Sequence, residues 1–301
     1  MPREDWSPSI SGQFIPKAGN SKLSDHNSLK MWALESGSDH VTLRSKMRMP
    51  HSSRRTVMDE ARKALREALQ TIRPRGDQII EGVYSSSVEG YFDVENVVIY
   101  NIETASFNKC AINGIRARRD RSDREDTAFS HTLRYTLIDT PKPPVNVMVH
   151  LRFAYPGFRS VFDIWWSAVN GELFSTGLLP GRFGIHVDLS CPTPPKNPAK
   201  CVKILFDGII AALQINLVVP VDEVVLRLSR SYGVEAELLR KRIFRPLSPA
   251  IMATRKAPLV APYREHGVQW HPADDKCEDC TFVVSKSDTA FCDAYLFPIA
   301  G

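Results

Sequence analysis

The sequence predicts an α+β protein built on a mixed sheet with packed helices, and three observations carry that expectation. From Ile79 to Leu189, short alternating apolar segments are separated by Gly, Pro and Ser, the pattern of strands in a largely antiparallel or mixed sheet. Two longer stretches, beginning near Thr56 and at Asn197, space their apolar residues at helical intervals instead. Hydrophobic residues make up 43% and charged residues 24% of the 301 positions, which excludes a mainly disordered chain and allows a substantial core.

Residues 1–54 are rich in Ser, Pro and charge and hold no sustained period, so they are expected to form an N-terminal arm. A helix is expected from Thr56, where "TVMD" offers a side-chain oxygen and, three residues on, a carboxylate to the free backbone N–H groups. Val57, Ala61, Ala64, Leu65, Ala68, Leu69 and Ile72 then form one apolar stripe that "RPRG" ends. Strands are expected at "IIEGVY", "TLRYTLI", "NVMVHLRF", "FDIWWSAV" and "FGIHVDL". On a strand, the adjacent Trp165 and Trp166 would point to opposite faces, one into the core and one free to stack on a base or a partner. "NPAKCVKILFDGIIAALQ" should be a helix laid on the sheet, with two shorter helices at 222–232 and 234–244. The expected organisation is an arm (1–54), an α+β core (55–215) and a helical, Cys-containing C-terminal region (216–301).

No apolar run approaches the roughly 20 residues of a membrane span, so no membrane partner is expected. The start, "MPREDWSPSI", lacks a basic-then-apolar signal pattern, and a cytoplasmic address follows as the expectation. The six cysteines then read as thiols or metal ligands rather than disulfides. A net charge of +5 permits a polyanionic partner without demanding one. Basic residues gather in "RSKMRMPHSSRR" and "IRARRDRSDR", the second interleaved with acids and readable as a solvated loop; Arg116, Arg118 and Arg119 are its nucleic-acid candidates. The motifs GxGxxG, GxxxxGK[ST], HExxH and GxSxG are absent, which removes the usual signatures of dinucleotide enzymes, P-loop ATPases, zincins and α/β-hydrolases.

Two segments share one layout. "QIIEGVYSSSVEGYFDVENVVIY" runs strand, polar loop and then D-x-E-N opening an apolar segment; "FGIHVDLSCPTPPKNPAKCVKILFDGI" repeats that order. The first resembles the RusA-type Holliday junction resolvases, whose strand and loop lead into a D-x-D-N-L turn at the start of a helix. By that resemblance Asp93 and Glu95 are the two metal-binding acids and Asn96 the family's asparagine. Where the family has a lysine four residues after its second acid this chain has Ile99, and Asp120, Asp123, Glu125 and Asp126 give no clear third acid. The second segment keeps the family's K-x-x-x-D as Lys203 and Asp207 but has Asn197 and Ala199 where the acids belong. The resemblance implies two resolvase-like repeats with one site altered and the other lost. Two carboxylates two residues apart can share a Mg²⁺ ion that activates water against a phosphodiester; the same residues also suit a plain acidic turn capped by Asp93.

"VDEVVLRLSRSYGVEAELLRKRI" sets Gly233 between two amphipathic segments, which fits either a packed helical hairpin or a helix-turn-helix unit. In the second case Glu235, Glu237, Arg240 and Lys241 would face the groove. Near the end, Cys277 and Cys280 have the spacing that lets two thiolates reach one Zn²⁺, with Cys292 and His271 or His266 to complete a tetrahedron; reduced buried thiols are the alternative. The leading expectation is a nucleic-acid-binding protein of resolvase-like build, acting in DNA or RNA processing or defence with or without catalysis. The alternatives are a Mg²⁺-dependent structure-selective nuclease using Asp93 and Glu95, and a zinc-stabilised scaffold or interaction subunit with a protein partner.

Overall fold

The computed structural model describes residues 31–51, 56–86, 92–121, 128–177, 179, 181–214, 220–243 and 258–299. An edge hairpin, β1 (Trp32–Ser36) and β2 (His40–Ser45), is followed by α1 (Asp59–Leu69) and β3 (Ile79–Ser86). A π-helical turn (Asn96–Tyr100) and a short 3₁₀ turn (Thr104–Phe107) lead to β4 (Gly114–Asp120) and β5 (His131–Ile138). Then come β6 (Val149–Ala154), α2 (Val161–Val169), β7 (Glu172–Ser175), β8 (Phe183–Cys191) and α3 (Pro198–Ala212). The chain ends with α4 (Val221–Tyr232), α5 (Ala236–Ile243), the hairpin β9 (Val260–Tyr263) and β10 (Gly267–Trp270), and β11 (Cys277–Lys286) with β12 (Phe291–Pro298).

Ten strands form one mixed sheet in the order β1-β2-β5-β3-β4-β11-β8-β12-β6-β7, so the expected α+β class is observed. Strand alternation gives the sheet two chemically different faces. Tyr135, Gly82, Ala117, Cys280, Ile185, Leu296 and Val149 pair in one row across it on the buried face. The adjoining row on the other face runs Thr136, Glu81, Arg116, Thr281, His186, Tyr295 and His150. The π turn and helices α1, α2 and α3 contact this sheet, while α4 packs on α5 and on the separate β9/β10 hairpin.

Read outward from the antiparallel β4/β11 pair, the two halves repeat one pairing pattern. β3 joins β4 in parallel as β8 joins β11, and β5 joins β3 antiparallel as β12 joins β8. Antiparallel β2 and β1 on one side then match β6 and β7 on the other. An approximate two-fold between β4 and β11 describes this order.

Several expectations are corrected by the structure. Trp165 and Trp166 lie on helix α2, not a strand: Ser160 caps it by accepting the Asp163 N–H, and its apolar residues fill one face against α3 and the core. Residues 32–45 belong to the sheet rather than to an arm, and residues 1–30 lie outside the described part. β11 and β12 stand inside the same sheet as the 55–215 core, so the C-terminal region is not a separate unit. Arg116 and Arg119 sit on strand β4 rather than in a loop. The Thr56 hydroxyl accepts the Met58 N–H at 3.1 Å and its own N–H is donated to Asp59 at 3.2 Å, but in a turn ahead of the helix: α1 starts at Asp59 with Met58 at its N-cap and no side-chain cap bond.

Close packing sets the π turn onto the sheet. A Cβ on Gly82 of β3 would fall 2.3 Å from Val98 Cγ1, so only glycine lets the turn lie this near. Tyr135 donates its hydroxyl to the Val98 carbonyl at 2.6 Å. From α1, Arg62 and Arg66 donate to the Asn101 and Ile102 carbonyls at 3.0 and 2.7 Å, satisfying acceptors at the end of the turn.

Candidate metal and phosphodiester site

The acids of the first segment and the lysine of the second meet at one place. Asp93 and Glu95 stand at the head of the π turn; Lys203 and Asp207 are one turn apart on α3; Asp274 lies on a 3₁₀ turn just before β11. Lys203 Nζ lies 2.9 Å from Asp274 Oδ2, 3.2 Å from Glu95 Oε1, 3.3 Å from Asp207 Oδ1 and 3.7 Å from Asp93 Oδ2. Carboxylate oxygens of Asp93, Glu95 and Asp274 all fall within 4.8 Å of one another.

The crossing of the two segments follows the two-fold. While Lys203 reaches from α3 to Glu95, Tyr100 of the π turn reaches back, donating its hydroxyl to the Ala199 carbonyl at 3.4 Å and accepting the Lys203 N–H at 2.8 Å. Asn197 donates to the Thr104 carbonyl at 3.0 Å. Where Asp93 and Glu95 stand in the first half, the second has Asn197 and Ala199; where α3 has Lys203, the first half has Ile99. One composite site is therefore acidic, and its two-fold counterpart carries no acid pair.

Electrostatics at the site are dominated by burial. Glu95 is 2% exposed; burial pushes its carboxyl up to about 8, Lys203 opposes this, and Asp274, Asp93 and Asp207 add to it. Burial likewise lifts Asp207 to about 7 against the pull of Lys203. Asp93 is raised by burial and by neighbouring Asp274. For Lys203, burial works against the charge, but Glu95, Asp207 and Asp274 outweigh it and raise the ammonium above its ordinary range. One ammonium cannot balance four carboxylates, so Lys203 stays charged and Glu95 carries a proton near neutrality. Glu95 Oε2 is buried with no hydrogen-bond partner, an unmet acceptor whose desolvation is costly unless a cation or proton joins it.

Hard carboxylate oxygens are the donors that Mg²⁺ or Mn²⁺ select, so Asp93, Glu95 and Asp274 fit such an ion. Asp93 is itself oriented by Asn96, whose Nδ2 donates to Oδ2 at 2.5 Å, so the expected asparagine acts on the acid rather than alone. Sequence reasoning missed Asp274 as a partner of this pair and placed Lys203 and Asp207 at a second site.

The expected zinc centre is not assembled. Cys277 and Cys280 do approach, with sulfurs 3.2 Å apart and both side chains buried. β8 separates β11 from β12, and Cys292 pairs through Leu189 with the level of Val284, four residues along β11 from Cys280, so two strand spacings and about 13 Å of strand rise separate Cys292 from Cys280. His266 is 94% exposed on its side chain. Among the described residues, neither His271 nor any cysteine belongs to a group of three or more possible ligands close enough to hold one ion.

The nucleic-acid candidates are dispersed. Arg116 and Arg118 lie on the open face, where they meet Glu81 and Asp279. Arg119 lies on the opposite face, its guanidinium 4.5 Å above the Phe92 ring. Arg240 pairs with Asp222 at 2.5 Å and Glu237 at 3.7 Å. Lys241 is exposed on α5 of a helical hairpin that stacks Tyr232 on Phe162 of α2, with ring centroids 3.9 Å apart. No helix among the described residues is long and apolar enough to cross a membrane. No protein-family model matches the chain, and neither a curated protein nor a solved structure matches it.

Proposed function

We propose that the chain is a divalent-metal-dependent nuclease of resolvase-like build, hydrolysing phosphodiesters at the Asp93, Glu95 and Asp274 cluster. The observation that carries this reading is the convergence of three carboxylates from two distant segments around a buried Glu95 oxygen that has no partner. Such an ion supplies Lewis acidity and lowers the pKa of bound water. The chain's own residues do the rest. Asp93 and Asp274, each partly exposed, and Glu95 beneath them would hold the ion through their carboxylate oxygens, the Glu95 proton leaving to solvent. Lys203 balances the remaining carboxylates and offers an ammonium to the charge that develops on the phosphate oxygens.

A second reading, nucleic-acid binding without turnover, is favoured by one feature: the Lys203 ammonium already stands among the acids, where it serves as a resident cation. Incubating the protein with Mg²⁺ or Mn²⁺ and duplex, branched and single-stranded DNA and RNA separates the two. Metal-dependent cleavage supports the nuclease; binding with no cleavage of any probe in either ion leaves the binder.

A further inference from the structure

Beside the acid cluster, four arginines from separate segments gather at one end of the sheet. Arg119 and Arg121 close β4, Arg182 precedes β8, and Arg48 follows β2. Among the described residues, Glu278 at the start of β11 meets three of them: Arg121 through its Nε at 3.0 Å, Arg182 at 3.6 Å and Arg119 at 4.0 Å. Phe92, the residue just before Asp93, carries Arg119 on its ring at 4.5 Å and Arg48 at 5.5 Å. On the open face, Arg116 and Arg118 meet Glu81 and Asp279.

We infer that Arg48, Arg121 and Arg182, backed by the buried side chain of Arg119, form a phosphodiester-gripping site that holds a nucleic-acid strand alongside the acid cluster. Three features point there. Contacts hold the guanidiniums before any ligand arrives: Arg121 and Arg182 meet Glu278, and Arg119, with its side chain 8% exposed, lies between the Phe92 ring and Glu278. Ordering of this kind reduces the entropy lost on binding. The planar fork of each guanidinium matches two phosphate oxygens at once, which an ammonium does not. Continuity is the third: Phe92 leads directly into Asp93, so a backbone held on these arginines passes next to the carboxylates. The placement of that strand rests on the nuclease reading above, whereas the grip itself does not.

The test is a salt titration of binding in chelator, where hydrolysis plays no part. A fluorescent DNA duplex is bound to Asp93→Asn protein and to the same protein carrying Arg48→Gln, Arg182→Gln or both. Each lost phosphate contact should flatten the slope of log K against log salt by about one unit. Arg116→Gln with Arg118→Gln, on the opposite face, should leave the slope unchanged. Arg48 is exposed, so its variant should melt with the parent and stay informative where an inner arginine also weakens the fold. Unchanged slopes in the Arg48 and Arg182 variants, or an equal loss from Arg116 and Arg118, overturn the inference. So does competition by inorganic phosphate at constant ionic strength that is indifferent to Arg48 and Arg182. If the arginines set the slope and no protein cleaves in Mg²⁺ or Mn²⁺, the grip stands and the nuclease reading falls. Cleavage with indifferent slopes gives the reverse.

Discussion

Lys203 places its ammonium 3.2 Å from Glu95 Oε1, although 108 residues separate them in the chain. With Glu95 protonated, the nearest charged partner of Lys203 is Asp274 at 2.9 Å; removing one partner of a buried ion pair costs about 3–5 kcal/mol, and the side chain of Lys203 is 32% exposed, so the lower end applies. Lys203→Met should therefore lose about 3 kcal/mol in chelator, measured by urea unfolding. Mg²⁺ should recover part of that loss, since an ion bound only by the folded state stabilises it. A variant as stable as its parent would show that the ammonium carries no structural share.

Glu95 sets a pH dependence with a definite sign. Its folded pKa, about 8, lies above its ordinary 4.5, so its contribution to stability is full below 4.5 and is lost as pH rises through about 8. Asp207, lifted to about 7, acts in the same direction. Glu95→Gln imitates the protonated acid, and its stability relative to the parent should climb across this window in metal-free buffer. Metal affinity of the parent should rise over the same range, because ion and proton compete for one carboxylate. Unfolding and calorimetric titrations at several pH values check both; a difference that is flat with pH refutes the assignment.

Asp93→Asn keeps an oxygen to accept the Asn96 amide at 2.5 Å while deleting the charge. Cleavage should fall by at least about 100-fold, the upper end of what outer-shell partners of a metal cost, with DNA binding in chelator retained or slightly tighter. Single-turnover cleavage measured beside anisotropy binding distinguishes this from unfolding.

Only one of the two crossings of the π turn with α3 carries acids, since Asn197 and Ala199 stand where the second pair would be. On supercoiled plasmid, the expected product is the open circle, accumulating before any linear form. Linear product appearing without an open-circle precursor would mean paired incisions and a second source of carboxylates.

Gly82→Val should overpack the contact between β3 and the π turn, where a Cβ already falls 2.3 Å from Val98 Cγ1. The expected cost is about 1–3 kcal/mol, with a larger loss of cleavage than of duplex binding, because the turn that moves carries Asp93 and Glu95. Urea midpoints and initial cleavage rates would show the two effects side by side.

Much of the fold was legible locally. The stripes of α1 and α3 and the alternation of β3, β5 and β8 follow from periods of 3.6 and 2 within single segments. "FDIWWSAV" forms a helix where a strand is expected, because a short apolar run fits either equally, and only the Ser160 cap decides. In the site, Asp93 and Glu95 were visible as a spaced pair, and Lys203 with Asp207 as a helical i,i+4 pair. Their meeting was not: it depends on a long-range crossing of the π turn with α3, which no local spacing encodes. Asp274 was read among the acids crowding the cysteines, because its approach to Asp93 is fixed by β11 lying beside β4. The arginines of 115–124 looked like one patch until strand alternation sent Arg119 to one face and Arg116 and Arg118 to the other.

A centre whose lysine arrives from the opposite half of the same polypeptide cannot be diluted apart. When acid pair and ammonium belong to separate molecules, their encounter weakens with concentration; on one chain they face each other at a fixed effective molarity. Turnover per molecule should then be constant from dense to very dilute solution, and mixing an acid-dead chain with a lysine-dead chain should restore nothing.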